Sequence, residues 1–304
     1  MMARIQFGLA LPNGPRDGMA REAFMEQLKK NLDVVDGTFD SIWFIDHVQF
    51  KGSPLLEGWT ALAYMAALYP SFDFGHVVLC QSFRNPALLA KMAATAQFMS
   101  GGRFVLGIGA GWHEEEYNAY GYDFPGAGTR VEELDETLKI VKALWTQPQA
   151  TFKGKHYQVS EAFCEPKPDP VPPIMVGGAQ PRMLRLTARH ADWWNVSQVG
   201  IERYREQVKM SEEACAAVGR DPSTLRRTWF GGCYCVPEGT AEADIDTSLA
   251  RSPNPFVGTP TQIIEQMKPF IDLGVDYFML KPESFPDTTS LRLLAEEVFP
   301  KLNA

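Results

Sequence analysis

What most constrains this chain is a repeat of pattern rather than of sequence. Eight times in 304 residues a short β-rich run gives way to a longer run of helical periodicity. RIQFGLALP (residues 4–12) is followed by residues 21–35, where Phe24, Met25, Leu28, Leu32 and Val35 share one helical face. SIWFID (41–46) precedes a helix over 59–68. GHVVLC (75–80) precedes PALLAKMAATAQFM, with Pro86 well placed at a helix N-terminus. RFVLGIG (103–109) pairs with RVEELDETLKIVKALW, PPIMVGG (172–178) with PRMLRLTARH, and ADWWNV (191–196) with IERYREQVKMSEEACAAV. The last two pairs are RTWFGGCYCV (227–236) with PTQIIEQMKPFIDL, and VDYFML (275–280) with SLRLLAEEVFPKL. Eight such units predict an α/β fold, a (β/α)₈ TIM barrel; a doubly wound sheet, the rival, usually needs fewer. Residues 151–173 interrupt the alternation as a hairpin and a Pro-rich connector after the fourth helix. Residues 237–258 interrupt it as a polar loop after the seventh strand, long enough for a lid. No linker separates two halves, so residues 1–304 are expected to form a single domain.

Composition narrows the partners. No apolar run approaches 18 residues, so no membrane span is expected, and the N-terminus reads as a first strand and not a signal peptide. The five cysteines are scattered, and Cys233 and Cys235 lack metal-clamp spacing, so no metal is expected and a reducing cytoplasm fits. A net charge of −8 argues against nucleic acid and anionic membranes.

In a barrel of this kind the site lies at the C-terminal ends of the strands. Those ends supply Asn13, Asp46 with His47, Cys80, Gly109, Gly177 with Gly178, Trp194 with Asn195, and Lys281. His47 is the candidate acid or base, because an imidazole exchanges protons near neutral pH. Asp46 is its expected catalytic companion, or else merely turns the chain. Gly177 and Gly178, ahead of a helix carrying Arg182 and Arg185, read as an anion site or as a tight turn. GIGAG (107–111) is not a dinucleotide loop, because Trp112 follows where the pattern continues and no apolar helix does. A zinc motif fails as well, since Tyr117 stands where the H-E-x-x-H pattern starting at His113 needs a second histidine. The three glutamates 114–116 read as a solvated helix face. The glycines then clear space at the mouth of the fourth strand for a flat ligand.

These pieces resemble one family. SIWFIDH, FRNPALLAKMAATAQFMSGGRFVLGIGAGWHEEEYNAYGYDFP, RVEELDETLKIVKALW, FKGKHYQV and PIMVGGAQPRMLRLTARHADWWN are similar to the luciferase-like monooxygenase superfamily, most of all its F420-dependent oxidoreductases. The likeness is strongest over the first 200 residues or so. It implies a flavin-type ring across the barrel mouth, backed by a bulge in the third strand with a non-proline cis peptide, here Val77–Val78, and Cys80 beside it. It implies a cofactor phosphate at Gly177 and Gly178, with Gly109 and Asn195 also facing the cofactor. His47 would lie near the reacting ring edge. Trp112 stands where deazaflavin sugar-phosphate dehydrogenases carry a glutamate, which implies a more apolar substrate in a pocket shared with Asn13 and Trp194. Phe7, Trp43 and Phe44 would join that pocket or fill the core.

Two cofactors fit the resemblance. Coenzyme F420 would exchange a hydride with a small organic substrate, and its anionic tail would favour a groove containing Arg16, Lys51, Arg182 or Arg185. FMN would instead support oxygen insertion, with a flavin reductase as the partner supplying electrons. A non-catalytic flavin-binding relative ranks third, because His47, Gly177 and Gly178 are all present. Relatives are often homodimers, so one is expected here.

Overall fold

The computed structural model describes residues 4–16 and 18–304. Its first half runs through β1 (Gln6–Ala10), α1 (Arg21–Val35), β2 (Ser41–Phe44), α2 (Gly58–Leu68), β3 (Asp73–His76), β4 (Leu79–Cys80), α3 (Pro86–Ser100), β5 (Phe104–Gly109), α4 (Glu114–Tyr120) and α5 (Ala127–Thr146). Next come a two-stranded hairpin of β6 (Ala150–Lys153) and β7 (Gln158–Ala162), then β8 (Ile174–Gly177), α6 (Pro181–His190), β9 (Trp193–Ser197) and α7 (Ile201–Ala217). The chain ends with β10 (Arg226–Cys235), β11 (Phe256–Gly258), α8 (Pro260–Asp272), β12 (Val275–Pro282), α9 (Thr289–Leu293), a π turn over Leu294–Val298 and α10 (Phe299–Leu302).

Eight of these strands pair in parallel in the order β1, β2, β3, β5, β8, β9, β10, β12. β12 returns to β1, with Phe7 beside Phe278 and Leu9 beside Leu280, so the sheet closes into a barrel. The eightfold alternation of the sequence is therefore a (β/α)₈ barrel, with the hairpin and the segment after β10 as its insertions.

Two apolar layers hold it together. Leu, Ile, Val and Phe on the outer faces of the strands pack against the helices. A separate inner group, including Ala10, Trp43, Val105, Met175, Phe230 and Met279, fills the barrel. Trp43 is fully buried, edge-on to Tyr277 at 6.0 Å, and donates to Ser41 Oγ at 2.6 Å. It fits because β3 faces it with Gly75, where a Cβ would stand 2.6 Å from its ring. A large side chain opposite a small one is how a closed barrel reaches interior packing density. Phe7 and Phe44 are buried on the outer layer, so these aromatics are core and not pocket.

Three elements depart from the sequence reading. The third strand starts at Asp73, breaks after His76 and resumes as β4. Gly75 lies beside Val105 and Leu79 beside Ile108, so four steps on one strand match three on the other. One residue is extra, which defines a β-bulge, and the Val77–Val78 peptide within it is cis. The glutamate run forms a real helix, α4, but one turned partly inward, because Glu116 and Tyr117 are buried. The segment after β10 is also not a plain loop, since it ends in β11, paired with Cys233–Cys235.

Candidate active site

A cavity of about 660 Å³ opens at the C-terminal ends of the barrel strands. The bulge residues Val77, Val78 and Leu79 form one wall and Gly177, Gly178 and Met183 another; His47, Phe50 and Trp112 stand at the rim. Asn13, Cys80 and Gly109 also face it, as the sequence led one to expect.

His47 follows β2 and is held by a residue the sequence reading missed. Its Nδ1 lies 2.9 Å from Glu116 Oε1, while Glu116 Oε2 accepts the Val48 N–H at 3.0 Å. A carboxylate only accepts, so Nδ1 must carry the hydrogen and Nε2 keeps its lone pair in the neutral ring. Nε2 has no protein partner among the described residues, and His47 lines the cavity. The pairing exists because α4 packs directly against the loop after β2, where Tyr120 Oη donates to the Val48 carbonyl at 3.1 Å. The imidazole sits against Phe50 at 4.4 Å and edge-on to Trp112 at 5.7 Å. Trp112 is 66% exposed and covers the rim with an indole where an acid would have been polar.

Asp46 has a different job from the catalytic one expected. Its carboxylate accepts both Arg84 Nη1 at 2.7 Å and Nη2 at 2.9 Å, and also the Cys80 N–H at 2.8 Å. Buried at the edge of the cavity, with three of its lone pairs taken and both oxygens held by Arg84, Asp46 locks the far side of the bulge. Arg84 continues to Glu57 Oε1 at 2.7 Å, at the N-terminus of α2. Burial opposes the Arg84 charge, but Asp46 and Glu57 outweigh it and raise the guanidinium's pKa. Behind them His76 is buried and stacked on Trp59 at 5.3 Å, and burial lowers its imidazole to about 4. Burial also pushes the Cys80 thiol up to about 11, so the sulfur facing the cavity is a neutral thiol, bonded to Tyr117 Oη at 2.8 Å.

The glycines of GIGAG make room chiefly for the protein itself. A Cβ at Gly109 would stand 2.9 Å from Val78 Cγ2, and one at Gly111 would collide with the Tyr117 hydroxyl. They let the bulge and α4 close in, and both glycines also line the cavity themselves. Gly178 differs. Its φ of +117° excludes ordinary side chains, although a Cβ there would meet Met183 only at 3.7 Å.

Trp194 and Asn195 do not line the cavity, contrary to expectation. Trp194 turns outward, stacks on Tyr204 at 6.0 Å, and donates from Nε1 to the Gly178 carbonyl at 2.9 Å. The Asn195 side chain is buried and donates to Thr228 Oγ1 at 2.9 Å, while its carbonyl accepts the Gly178 N–H at 3.1 Å. Strand alternation puts neighbours on opposite faces, so both reach the site only by fixing Gly178. The Gly178 N–H is thereby spent. The amides able to meet an anion are those in the first turn of α6, which has no side-chain cap.

Sequence reasoning also passed over Gln180, Met183, Gln198 and Phe230 as wall residues. Lys281, recognised only as a strand end, reaches the cavity beside a buried carboxylate, Glu283, at 3.6 Å. Glu283 in turn accepts the N–H groups of Arg251 at 3.3 Å and Ser252 at 3.2 Å. The insertion after β10 is thus pinned beside the mouth at its second half. Among the described residues no helix is long and apolar enough to cross a membrane.

With this geometry in view, the relatives can be placed. The model of the luciferase-like monooxygenase family matches residues 5–254. The F420-dependent glucose-6-phosphate dehydrogenase of Amycolatopsis mediterranei is 26% identical, over 87% of this chain and 90% of its own. An F420-dependent secondary alcohol dehydrogenase, solved with an F420–acetone adduct, superposes with a TM-score of 0.81 at 21% identity, over 99% of this chain and all of that one. The oxygenating component of 3,6-diketocamphane monooxygenase from Pseudomonas putida, solved with FMN, gives 0.77 at 18% identity, over 98% and 99%. At these identities the two structures speak for the fold alone.

Proposed function

The chain belongs to the luciferase-like monooxygenase family and is an oxidoreductase, and from that premise we propose that it transfers a hydride between coenzyme F420 and a small, fairly apolar organic substrate. The observation that carries this reading is the His47–Glu116 pair, one buried carboxylate fixing an imidazole whose free nitrogen faces an apolar-walled cavity.

The residues fit such a cofactor. The bulge gives a flat apolar wall for a ring system, and α6 offers uncapped first-turn amides for its phosphate. When bound, the deazaflavin supplies hydride exchange at ring carbon five, with little reactivity towards oxygen. The chain's own part is to position and to move a proton. In the alcohol-to-carbonyl direction His47 Nε2 takes the hydroxyl proton as the carbinol carbon loses its hydride; in reverse the imidazolium returns it. Glu116 keeps Nδ1 protonated throughout and stabilises the cationic ring. Phe50 and Trp112 make the rim apolar, and Trp112 in place of an acid favours an apolar substrate over a sugar phosphate. Asn13 and Lys281 are the polar handles.

The alternative is FMN with oxygen, served by a flavin reductase, favoured by the fold shared with an FMN-binding monooxygenase. Titration with F420 and FMN, oxidised and reduced, separates the two. Tight binding of F420, with turnover on a panel of small alcohols and ketones, supports the proposal; tight binding of FMN alone sinks it. A homodimer is the proposed assembly. Exposed Tyr64 and Leu68 on α2, with Leu88, Phe98 and Met99 on neighbouring α3, offer the apolar face it would cover.

A further inference from the structure

The mouth of the cavity has two unlike sides. Trp112, on the loop after β5, stands across the opening from Lys281 near the end of β12, four strands away in either direction round the barrel. One side ends in an indole, the other in an ammonium group. Strand alternation turns Lys281 inward. Tyr277 and Met279 of β12 fill the barrel interior, and Lys281, two residues on, continues the same face. His47 continues the inner face of β2 in the same way, after Trp43 and Ile45. β1 lies between these two strands, so their backbones run about 10 Å apart. Asn13 follows β1 and also lines the cavity. Its backbone carbonyl accepts the Leu56 N–H at 2.7 Å, whereas its side-chain amide has no partner among the described residues.

Lys281 keeps both charge and hydrogens to spare. Its Nζ donates to Ser252 Oγ at 3.3 Å and lies 3.6 Å from Glu283 Oε1, too far for a hydrogen bond. An ammonium carries three hydrogens, so two remain for the cavity. Glu283 does not cancel the charge, because this one buried carboxylate sits among three cations. Arg16 Nη2 donates to the Glu283 carbonyl at 3.2 Å, and the Arg251 N–H donates to its carboxylate at 3.3 Å. Among the described residues neither guanidinium has an ion-pair partner of its own. Burial, and next the charge of Arg251, lower the Arg16 pKa against the pull of Glu283. The surroundings of Lys281 thus carry a positive surplus, on a chain whose net charge is −8.

We propose that Lys281 and Asn13 form a carboxylate subsite, so that the substrate is an amphiphilic hydroxy or oxo acid, with its charged end at β12, its reacting carbon at His47 and its apolar body towards Trp112. The assignment rests on the oxidoreductase reading of the site and names its substrate class. A monoanion suits one ammonium and one amide. A phosphate would bring a second charge towards Glu283 and leave oxygens without donors.

The test uses the whole chain and three probes of one length: hexanoate, hexanamide and hexyl phosphate. Dissociation constants are measured by calorimetry, without cofactor and with F420, for the native chain, Lys281→Met and Lys281→Arg. One charge-assisted contact from a half-exposed lysine predicts about tenfold tighter binding of hexanoate than of hexanamide by the native chain. That ratio, which cancels any general loss of folding, should shrink with added salt, fall to near one in Lys281→Met and persist in Lys281→Arg. With F420 the same ratio should appear in KM between a hydroxy acid and its methyl ester, at similar kcat. Equal binding of hexanoate and hexanamide by the native chain, or binding of no probe, overturns the subsite and leaves hydride transfer to F420 standing. A ratio that survives in Lys281→Met also overturns it, because the anion then binds elsewhere. Tighter binding of hexyl phosphate overturns the assignment to a carboxylate. Failure of F420 to bind, with the hexanoate ratio intact in its absence, removes the cofactor reading and keeps the subsite.

Discussion

At the N-terminal end of the barrel, Arg226 lies between the rings of Trp193 and Tyr277, at 4.8 and 4.7 Å, and bonds Asp276 and Gln6 at 2.7 Å. At the C-terminal end, His47 is bonded on one nitrogen and open on the other, the first-turn amides of α6 are uncapped, and Lys281 reaches a cavity. The closed sheet provides both ends, yet one is saturated with partners and the other keeps its valences free. Saturated polar groups stabilise and specify a fold; unsaturated ones, held in place by saturated neighbours, can act on a ligand. Asp46 shows the boundary between the two roles. It stands next to His47 in sequence and at the edge of the same cavity, but its carboxylate is held by Arg84 and the Cys80 N–H.

The largest expected effects break the comparison in opposite directions. His47→Ala should lower kcat by about 10²–10⁴, the usual contribution of a positioned acid–base group, with little change in unfolding midpoint or cofactor Kd. Trp43→Ala should do the reverse. Emptying the inner layer opposite Gly75 should cost about 3–5 kcal/mol in denaturant unfolding while folded molecules keep most of their kcat. Unchanged turnover in the first variant, with a competent substrate, removes His47 from the chemistry.

Next in size is an acid limb in stability. Burial holds His76 near 4, whereas an unfolded histidine titrates near 6.5. Between those values the unfolded chain binds more protons, so stability falls as pH drops from 6.5 to 4. The slope approaches about 1.4 kcal/mol per pH unit, for a total on the order of 3 kcal/mol. His76→Phe keeps a ring against Trp59 and should flatten that limb in urea titrations across the same range; an unaltered limb assigns the proton uptake elsewhere.

Glu116→Gln is expected to be smaller and to fall on one side of the comparison. The amide can still accept from Nδ1 but no longer stabilises the cationic ring, a loss of about 1.5–3 kcal/mol for a charge-assisted bond. That is roughly ten- to hundredfold in kcat. Cofactor Kd should hold, and Glu116→Asp should recover part of the loss. Equal losses in both variants, accompanied by a fall in stability, would falsify a positioning role and leave Glu116 as a structural tie.

The barrel was legible because eight alternating units leave few architectures, and His47 because a barrel names its strand ends. The cis peptide at Val77–Val78 is implied by family resemblance, whereas Gly177–Gly178 stand out from the residues alone, as glycines between a strand and a helix. What the sequence hid depended on orientation and on partners distant in the chain. One of three consecutive glutamates points inward because α4 docks on the loop after β2, 68 residues from Val48 to Glu116. The signal available was Tyr117 beside it, an aromatic that a fully solvated face would not need. Trp194 and Asn195 were misplaced for the same reason: position at a strand end says nothing about which face a side chain takes. Gly109 and Gly111 do line the cavity, but the sequence does not reveal that their missing Cβ atoms also accommodate Val78 and Tyr117.

The smallest expected effect is the most discriminating. Gly178 has φ +117°, and an alanine there has space but the wrong backbone preference, a strain of about 1–3 kcal/mol. Gly219, after α7, has φ +71° with nothing within 4 Å, so Gly219→Ala brings a strain of the same kind far from the mouth. Both variants should lose some stability. Only at Gly178 does relief of the strain turn the two flanking peptides, one whose N–H is held by the Asn195 carbonyl and one whose carbonyl is held by Trp194 Nε1. That turn shifts the first amides of α6. Cofactor Kd should therefore rise several-fold in Gly178→Ala and stay at the native value in Gly219→Ala. Matching Kd values in the two variants, at similar losses of stability, would move the phosphate contact away from α6 and place Gly178 with the saturated end of the barrel.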